Sequence, residues 1–185
     1  MKINLVKTAV RIGEFMLYPE HPRNKIKVNY DQNVSDELLK DESGRVYLFV
    51  VDGEIKKIGG SASKGGIKTT LRLYVNSMTG SPGKPRFILH LLIRDELVKG
   101  KKVEVFMINS EKTYAPVSGL FDVEQLEIGS FKEMEDKCRS DYFNSQRRFP
   151  DWNFQENNKD YPSKYSLEQV RYHEERLRGR VYIPD

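Results

Sequence analysis

Eight cations, Lys56, Lys57, Lys64, Lys68, Arg72, Lys84, Arg86 and Arg94, fall between Ile55 and Arg94, a stretch that holds no aspartate or glutamate. The chain carries +4 overall, so the +8 of this segment leaves the remainder at −4. Positive potential concentrated in this way suits a polyanion. A lone charge run ordinarily reads as a solvated lysine-rich face, but this one also contains Gly59, Gly60, Gly65 and Gly66. A second group is acidic: Glu133, Glu135, Asp136 and Asp141 lie close together downstream, and carboxylates of this kind suit a hard divalent cation such as Mg²⁺. No Cys/His cluster offers structural zinc, since His21, His90 and His173 are far apart and have no paired cysteines. Cys138 is the only cysteine, so no internal disulfide forms.

The elements that must position these groups follow from pattern and punctuation. Gly44 to Val51 reads as a strand rich in β-branched and aromatic residues, Asp52-Gly53 as a tight hairpin turn, and Glu54 to Gly59 as the antiparallel partner. Gly59 to Gly66 is a loop. A helix is expected from about Ile67 to Ser77, and the stretch from Thr79 to Pro85 separates it from a second over Phe87 to Lys99. Lys102 to Ile108 alternates as a third strand. Ser130 and Glu133 form a capping-box pattern that opens a third helix, which must end before Pro150. Ser166 to Gln169 repeats that pattern and opens a charged terminal helix to about Arg178.

The 185 residues suit one compact domain with appendages. The expected fold is α/β (α+β), a small three-stranded antiparallel sheet flanked by helices. Residues 1–43 are expected as an N-terminal arm, 44–153 as the core, and 154–185 as a helical C-terminal extension that packs on the core or on a ligand. Mean hydropathy is −0.64 and the longest apolar run, Val46 to Val51, is far too short to cross a bilayer. The N-terminal residues lack the apolar core and cleavage site of a secretory signal, so a cytoplasmic location is expected.

A strand carrying Val46-Tyr47-Leu48, joined by a hairpin to a strand carrying Lys57-Ile58-Gly59-Gly60, resembles the paired segments that name the GIY-YIG nuclease superfamily. Lysine stands where the second tyrosine is usual, as in a type II restriction-enzyme branch of that family. The resemblance continues through Arg86 to Leu92, Lys102 to Phe106 and the helix bearing Glu135, and ends at Arg148-Phe-Pro-Asp-Trp-Asn153. It covers roughly residues 44 to 153.

That resemblance implies a catalytic set of Tyr47, Lys57, Arg72, Tyr74 and Glu135. Phosphodiester hydrolysis needs an activated water, stabilisation of charge on phosphorus and help for the departing oxygen. Tyr47 would activate the water, and an adjacent Lys57 cation is expected to lower its pKa from near 10. Glu135 would hold Mg²⁺ (or Mn²⁺); Glu133 is better explained by capping, and Asp136 and Asp141 are substitutes. Arg72 is expected to clamp the phosphate through its planar fork of donors, with Arg86 and Lys68 as alternatives. Tyr74 is either a second active-site tyrosine or core packing. His90, among Phe87, Ile88, Leu89, Leu91 and Leu92, reads as a core histidine, and Trp152 as packing. Lys56, Lys64, Lys68, Arg86 and Asn153 are expected to touch DNA.

The implied activity is a metal-dependent endonuclease cutting double-stranded DNA to 5′-phosphate and 3′-hydroxyl ends, with a type II restriction enzyme acting as a homodimer as the leading expectation. Another nuclease of the superfamily (phage, homing or repair type) and a non-catalytic nucleic-acid-binding module are the alternatives.

Overall fold

The structure, a computed structural model, describes residues 1–109, 113–128 and 131–179. Its centre is the expected hairpin: β3 (Arg45–Val51) and β4 (Glu54–Ser61) pair antiparallel, with Val51 opposite Glu54. Asp52 and Gly53 turn with φ of 47° and 78°, the left-handed conformation a two-residue hairpin loop requires. Every residue of β3 is buried, because the strand is covered on both faces.

The sheet has five strands, not three. β1 (Val10–Leu17) and β2 (Ile26–Tyr30), from the segment expected as a peripheral arm, extend it beyond β5 (Val103–Asn109), giving the antiparallel order β2-β1-β5-β3-β4. The arm is drawn in because Ile12, Phe15 and Ile26 bury completely or nearly so in the core. The short helix α1 (Asp36–Lys40), capped by the Ser35 side chain, then leads into β3.

One face of the sheet is covered by α2 (Gly66–Val75) and α3 (Lys84–Val98), with Ile67, Leu71, Tyr74, Leu89 and Ile93 packed against Tyr47, Phe49, Val103 and Val105. The other is covered by α4 (Phe131–Gln146), where Tyr142 meets Val46, Leu48, Val50, Ile55 and Ile58. Ser130, the expected cap of α4, lies outside the described residues. α5 (Ser163–Leu177) begins three residues earlier than Ser166 and seats Tyr172 against Phe87, with its hydroxyl donating to Gly80 O at 2.8 Å. The C-terminal extension thus packs on the core. A separate hairpin of β6 (Thr113–Ser118) and β7 (Val123–Ile128) was not anticipated. Among the described residues no helix is long and apolar enough to cross a membrane.

Candidate active site

β4 is an edge strand, and its consecutive glycines face opposite sides of the sheet. A Cβ on Gly59 would lie 2.4 Å from both Cζ and Oη of Tyr47, so the tyrosine ring reaches out from β3 directly over the glycine. A Cβ on Gly60 would lie 2.5 Å from Cδ2 of Phe131 and 2.6 Å from Oε2 of Glu135. The glycine pair therefore opens the sheet edge to Tyr47 on one face and to the α4 carboxylate on the other.

On α2, Ile67, Thr70, Leu71 and Tyr74 make the buried stripe, the spacing of one helix face. This brings the Tyr74 hydroxyl to 2.5 Å from that of Tyr47. The two rings, together with Ser61, Thr70, Phe131 and Arg86 from the first turn of α3, line an open cleft of about 350 Å³. Lys57 pairs with Phe49 across the hairpin and so lies on the same strand face as Gly59.

Electrostatics in the cleft overturn one expectation. Burial pushes the Tyr47 phenol well above its usual value of 10, and its neighbours Tyr74 and Glu135 add to the rise. Arg86 acts in the opposite direction; Lys57 is not the cation that governs it. Tyr74 is also raised, again chiefly by burial. Lys57 itself is lowered, because loss of water outweighs the nearby Glu156 and Glu135 carboxylates. Burial raises Glu135 despite Arg139, Lys57 and a backbone contact to Gly60. Glu156 falls below its usual range: burial opposes ionisation, but a backbone hydrogen bond and Lys57 outweigh it.

Of the expected site residues, Tyr47, Tyr74, Lys57 and Glu135 converge on this edge, and Arg86 joins them. Arg72 does not. It lies on the far side of α2 in a groove with Lys27, Tyr30 and Lys68, since two residues along a helix turn the side chain some 200° from Tyr74. Lys68 is there too, ion-paired with Asp36. Lys56 is held by Asp151 at 2.8 Å and Glu54 at 3.2 Å, away from the cleft. Lys64 is exposed on the loop after β4, beside the cleft residue Ser63. Asn153 is fully buried, accepting from Ile58 N at 2.9 Å and donating to Ile58 O at 3.0 Å. Its amide ties the Pro150 turn to β4 and has no face left for DNA. Trp152 is buried in the core, as expected.

Two participants went unnoticed in the sequence. Arg139 Nη2 lies 2.5 Å from Glu135 Oε1 and 2.5 Å from Glu156 Oε1. Arg139 was detectable as the i+4 partner of Glu135 on a helix; Glu156, in an irregular polar segment, carried no signal. His90 is the core histidine anticipated, with Nδ1 at 2.9 Å from Tyr74 O and a pKa lowered by burial to about 4.

A divalent cation can be tested against these groups. Among the described residues no cluster of three or more His, Cys, Asp or Glu side chains is present, so these residues offer no full protein cage. The Glu135 carboxylate, ion-paired with Arg139 and contacting Gly60, retains unused lone pairs. One carboxylate completed by water and phosphate oxygens is the coordination Mg²⁺ favours.

No family model and no curated protein matches the sequence. Among solved structures, a mutant of bacteriophage T4 EndoII aligns with a TM-score of 0.51 at 14% identity, over 83% of this chain and 98% of that one. The restriction endonuclease HPY188I in complex with product DNA aligns with a TM-score of 0.47 at 18% identity, over 77% of this chain and 78% of that one. The first of these shows that the chain shares the T4 EndoII fold.

Proposed function

We propose that this chain is a metal-dependent DNA endonuclease of the GIY-YIG type, in the branch with lysine at the second motif position, and that it acts as a sequence-specific type II restriction enzyme. The observation that carries the reading is the convergence of Tyr47, Tyr74, Lys57, Glu135 and Arg86 on one glycine-notched sheet edge. The shared T4 EndoII fold supports it, as does the run of cations from Lys56 to Arg94.

In this reading Arg86 holds the scissile phosphate in the cleft, its planar fork matching the non-bridging oxygens. Tyr47 orients the attacking water and takes its proton, aided by the Arg86 charge that favours a phenolate. Tyr74 fixes the Tyr47 hydroxyl through their mutual hydrogen bond. Lys57 places a partly buried cation beside the reacting phosphate. Glu135 would hold Mg²⁺ or Mn²⁺, which supplies positive charge for the departing 3′ oxygen. Cutting both strands of a palindrome takes two such sites, so the working unit is a homodimer in the cytoplasm.

The test is incubation of wild-type and Glu135→Ala proteins with unmethylated plasmid and phage DNA, in Mg²⁺ or EDTA. Discrete Mg²⁺-dependent bands lost in the variant are expected. A smear would replace the restriction assignment with non-specific cutting, and intact DNA with the wild type would leave only a nucleic-acid-binding module.

A further inference from the structure

We propose that Arg139 and Glu156 are positioning residues that hold the Glu135 carboxylate ready for the divalent cation: Arg139 neutralises it in the empty site, and Glu156 retains Arg139 when Glu135 turns to the cation. The inference rests on the reading of Glu135 as the metal anchor.

The geometry is specific. Glu135 and Arg139 are one turn apart on α4, and a single nitrogen, Nη2, is shared between Glu135 Oε1 and Glu156 Oε1, at 2.5 Å from each. All three side chains are largely withdrawn from water, with 13%, 24% and 20% exposure for Glu135, Arg139 and Glu156. The Nε of Arg139 is buried without a partner among the described residues. Asp136, the other acid near the guanidinium, is 3.6 Å from Nη1 and 72% exposed, where screening by water leaves it little influence.

A fork-to-fork grip on Glu135 would use both ends of the guanidinium and lock the carboxylate. Here Nη2 donates its hydrogen bond to Glu135 and meets Glu156 as an ion pair. Glu135 can therefore leave while Arg139 keeps its ion pair with Glu156, so no cation is stranded in a poorly hydrated site.

Glu156 is brought to this point by a dedicated turn. The Asn153 side chain accepts from Ile58 N and donates to Ile58 O of β4, and Asn157 Nδ2 donates to Pro150 O at 2.9 Å and Asn153 O at 3.0 Å. The chain between Pro150 and Asn157 is thereby pinned against the edge strand. Glu156 is also the first carboxylate to act on Lys57. With both acids ionised, Lys57 and Arg139 are balanced. Without Glu156, two cations face one carboxylate, and the site repels a dication.

This predicts opposite responses from the two variants, which a merely structural role would not give. The experiment titrates Mn²⁺ by electron paramagnetic resonance against each protein bound to a DNA duplex, alongside single-turnover cleavage and thermal melting. Glu156→Gln should raise the Mn²⁺ dissociation constant at least about tenfold, the usual consequence of losing a residue that orients a ligand, while kcat at saturating Mn²⁺ changes little. Glu156→Asp should recover most of the affinity. Arg139→Gln should leave Mn²⁺ binding equal or tighter, since the competing cation is gone, yet lower kcat because Glu135 is no longer fixed. Mn²⁺ affinity of Glu156→Gln within twofold of wild type overturns the proposal and leaves the nuclease reading intact. So does weakened binding in both variants that merely parallels a loss of folding. A wild-type protein that cleaves DNA but binds no Mn²⁺ overturns both the proposal and the role of Glu135.

Discussion

Substituting alanine at Gly59 isolates what the glycine pair does. A Cβ there would sit 2.4 Å from Cζ and Oη of Tyr47 and 2.8 Å from Cε2. Ordinary van der Waals contact begins at 3.4 Å, so the ring must retreat by about 1 Å. The ring packs 5.3 Å from Phe49 and 6.0 Å from Tyr74, centroid to centroid, and its hydroxyl is bonded to Tyr74, so any shift disturbs that arrangement. Overpacking of this kind costs about 1–3 kcal/mol, while the lost freedom of the unfolded glycine returns about 0.5–1 kcal/mol. The net loss is at most about 2.5 kcal/mol, a fall in Tm of no more than about 10 °C for a chain of this size. Catalysis should suffer more, because a displacement of about 1 Å in a positioned group can cost about 100-fold. Single-turnover cleavage at a temperature well below both melting points separates the two effects. Gly60→Ala should lose activity by a different route, displacing Glu135 Oε2 and Phe131, and so should also raise the metal concentration needed. A Gly59→Ala protein that folds and cleaves within threefold of wild type would refute the reasoning about Tyr47.

The raised phenol of Tyr47 implies that cleavage rises about tenfold per pH unit between pH 6.5 and 9 without levelling, because the base is still mostly protonated there. A plateau below pH 9 would assign the proton to another group. Arg86→Ala should lower cleavage by about 100-fold or more, whereas Arg72→Ala, on the far side of α2, should stay within about fivefold of wild type at saturating DNA; single-turnover rates decide between them. His90 binds a proton in the unfolded chain from pH 6.5 downward, but in the fold only near pH 4. Its contribution to stability is thus present above pH 6.5 and lost as pH falls toward 4, a total of about 3 kcal/mol. Urea denaturation of wild type and His90→Gln should show the variant's pH profile flatter across that window.

How much of this was legible in the chain depends on whether the deciding interaction was local. The β3–β4 hairpin was, since Asp52-Gly53 specifies the turn and the apolar run before it specifies a covered strand. The helices bearing Tyr74, Arg86 and Glu135 were also legible within a few residues at their ends. The arm was misread because its short alternating segments join β5 across some ninety positions of sequence, and no local pattern reports that. The preference for Arg72 was an error that geometry alone would have removed: if Tyr74 faces the cleft, a residue two positions earlier cannot.

The charge environment of Tyr47 was the deepest failure, and its cause is general. Seen as a sequence, Lys57 is the cation that the motif sets beside Tyr47, and the phenolate looks favoured. In the fold, packing strips water from both Tyr47 and Lys57, and desolvation is the leading cause of each shift: the phenol goes up and the ammonium goes down. Each group is driven toward its neutral form. What restores charge must therefore enter from the open side of the cleft, where Arg86 already stands exposed and the phosphate and its cation would arrive. The two glycines admit Tyr47 and Glu135 from opposite faces of one edge strand, and in the proposed reaction the arriving phosphate and cation join the two groups.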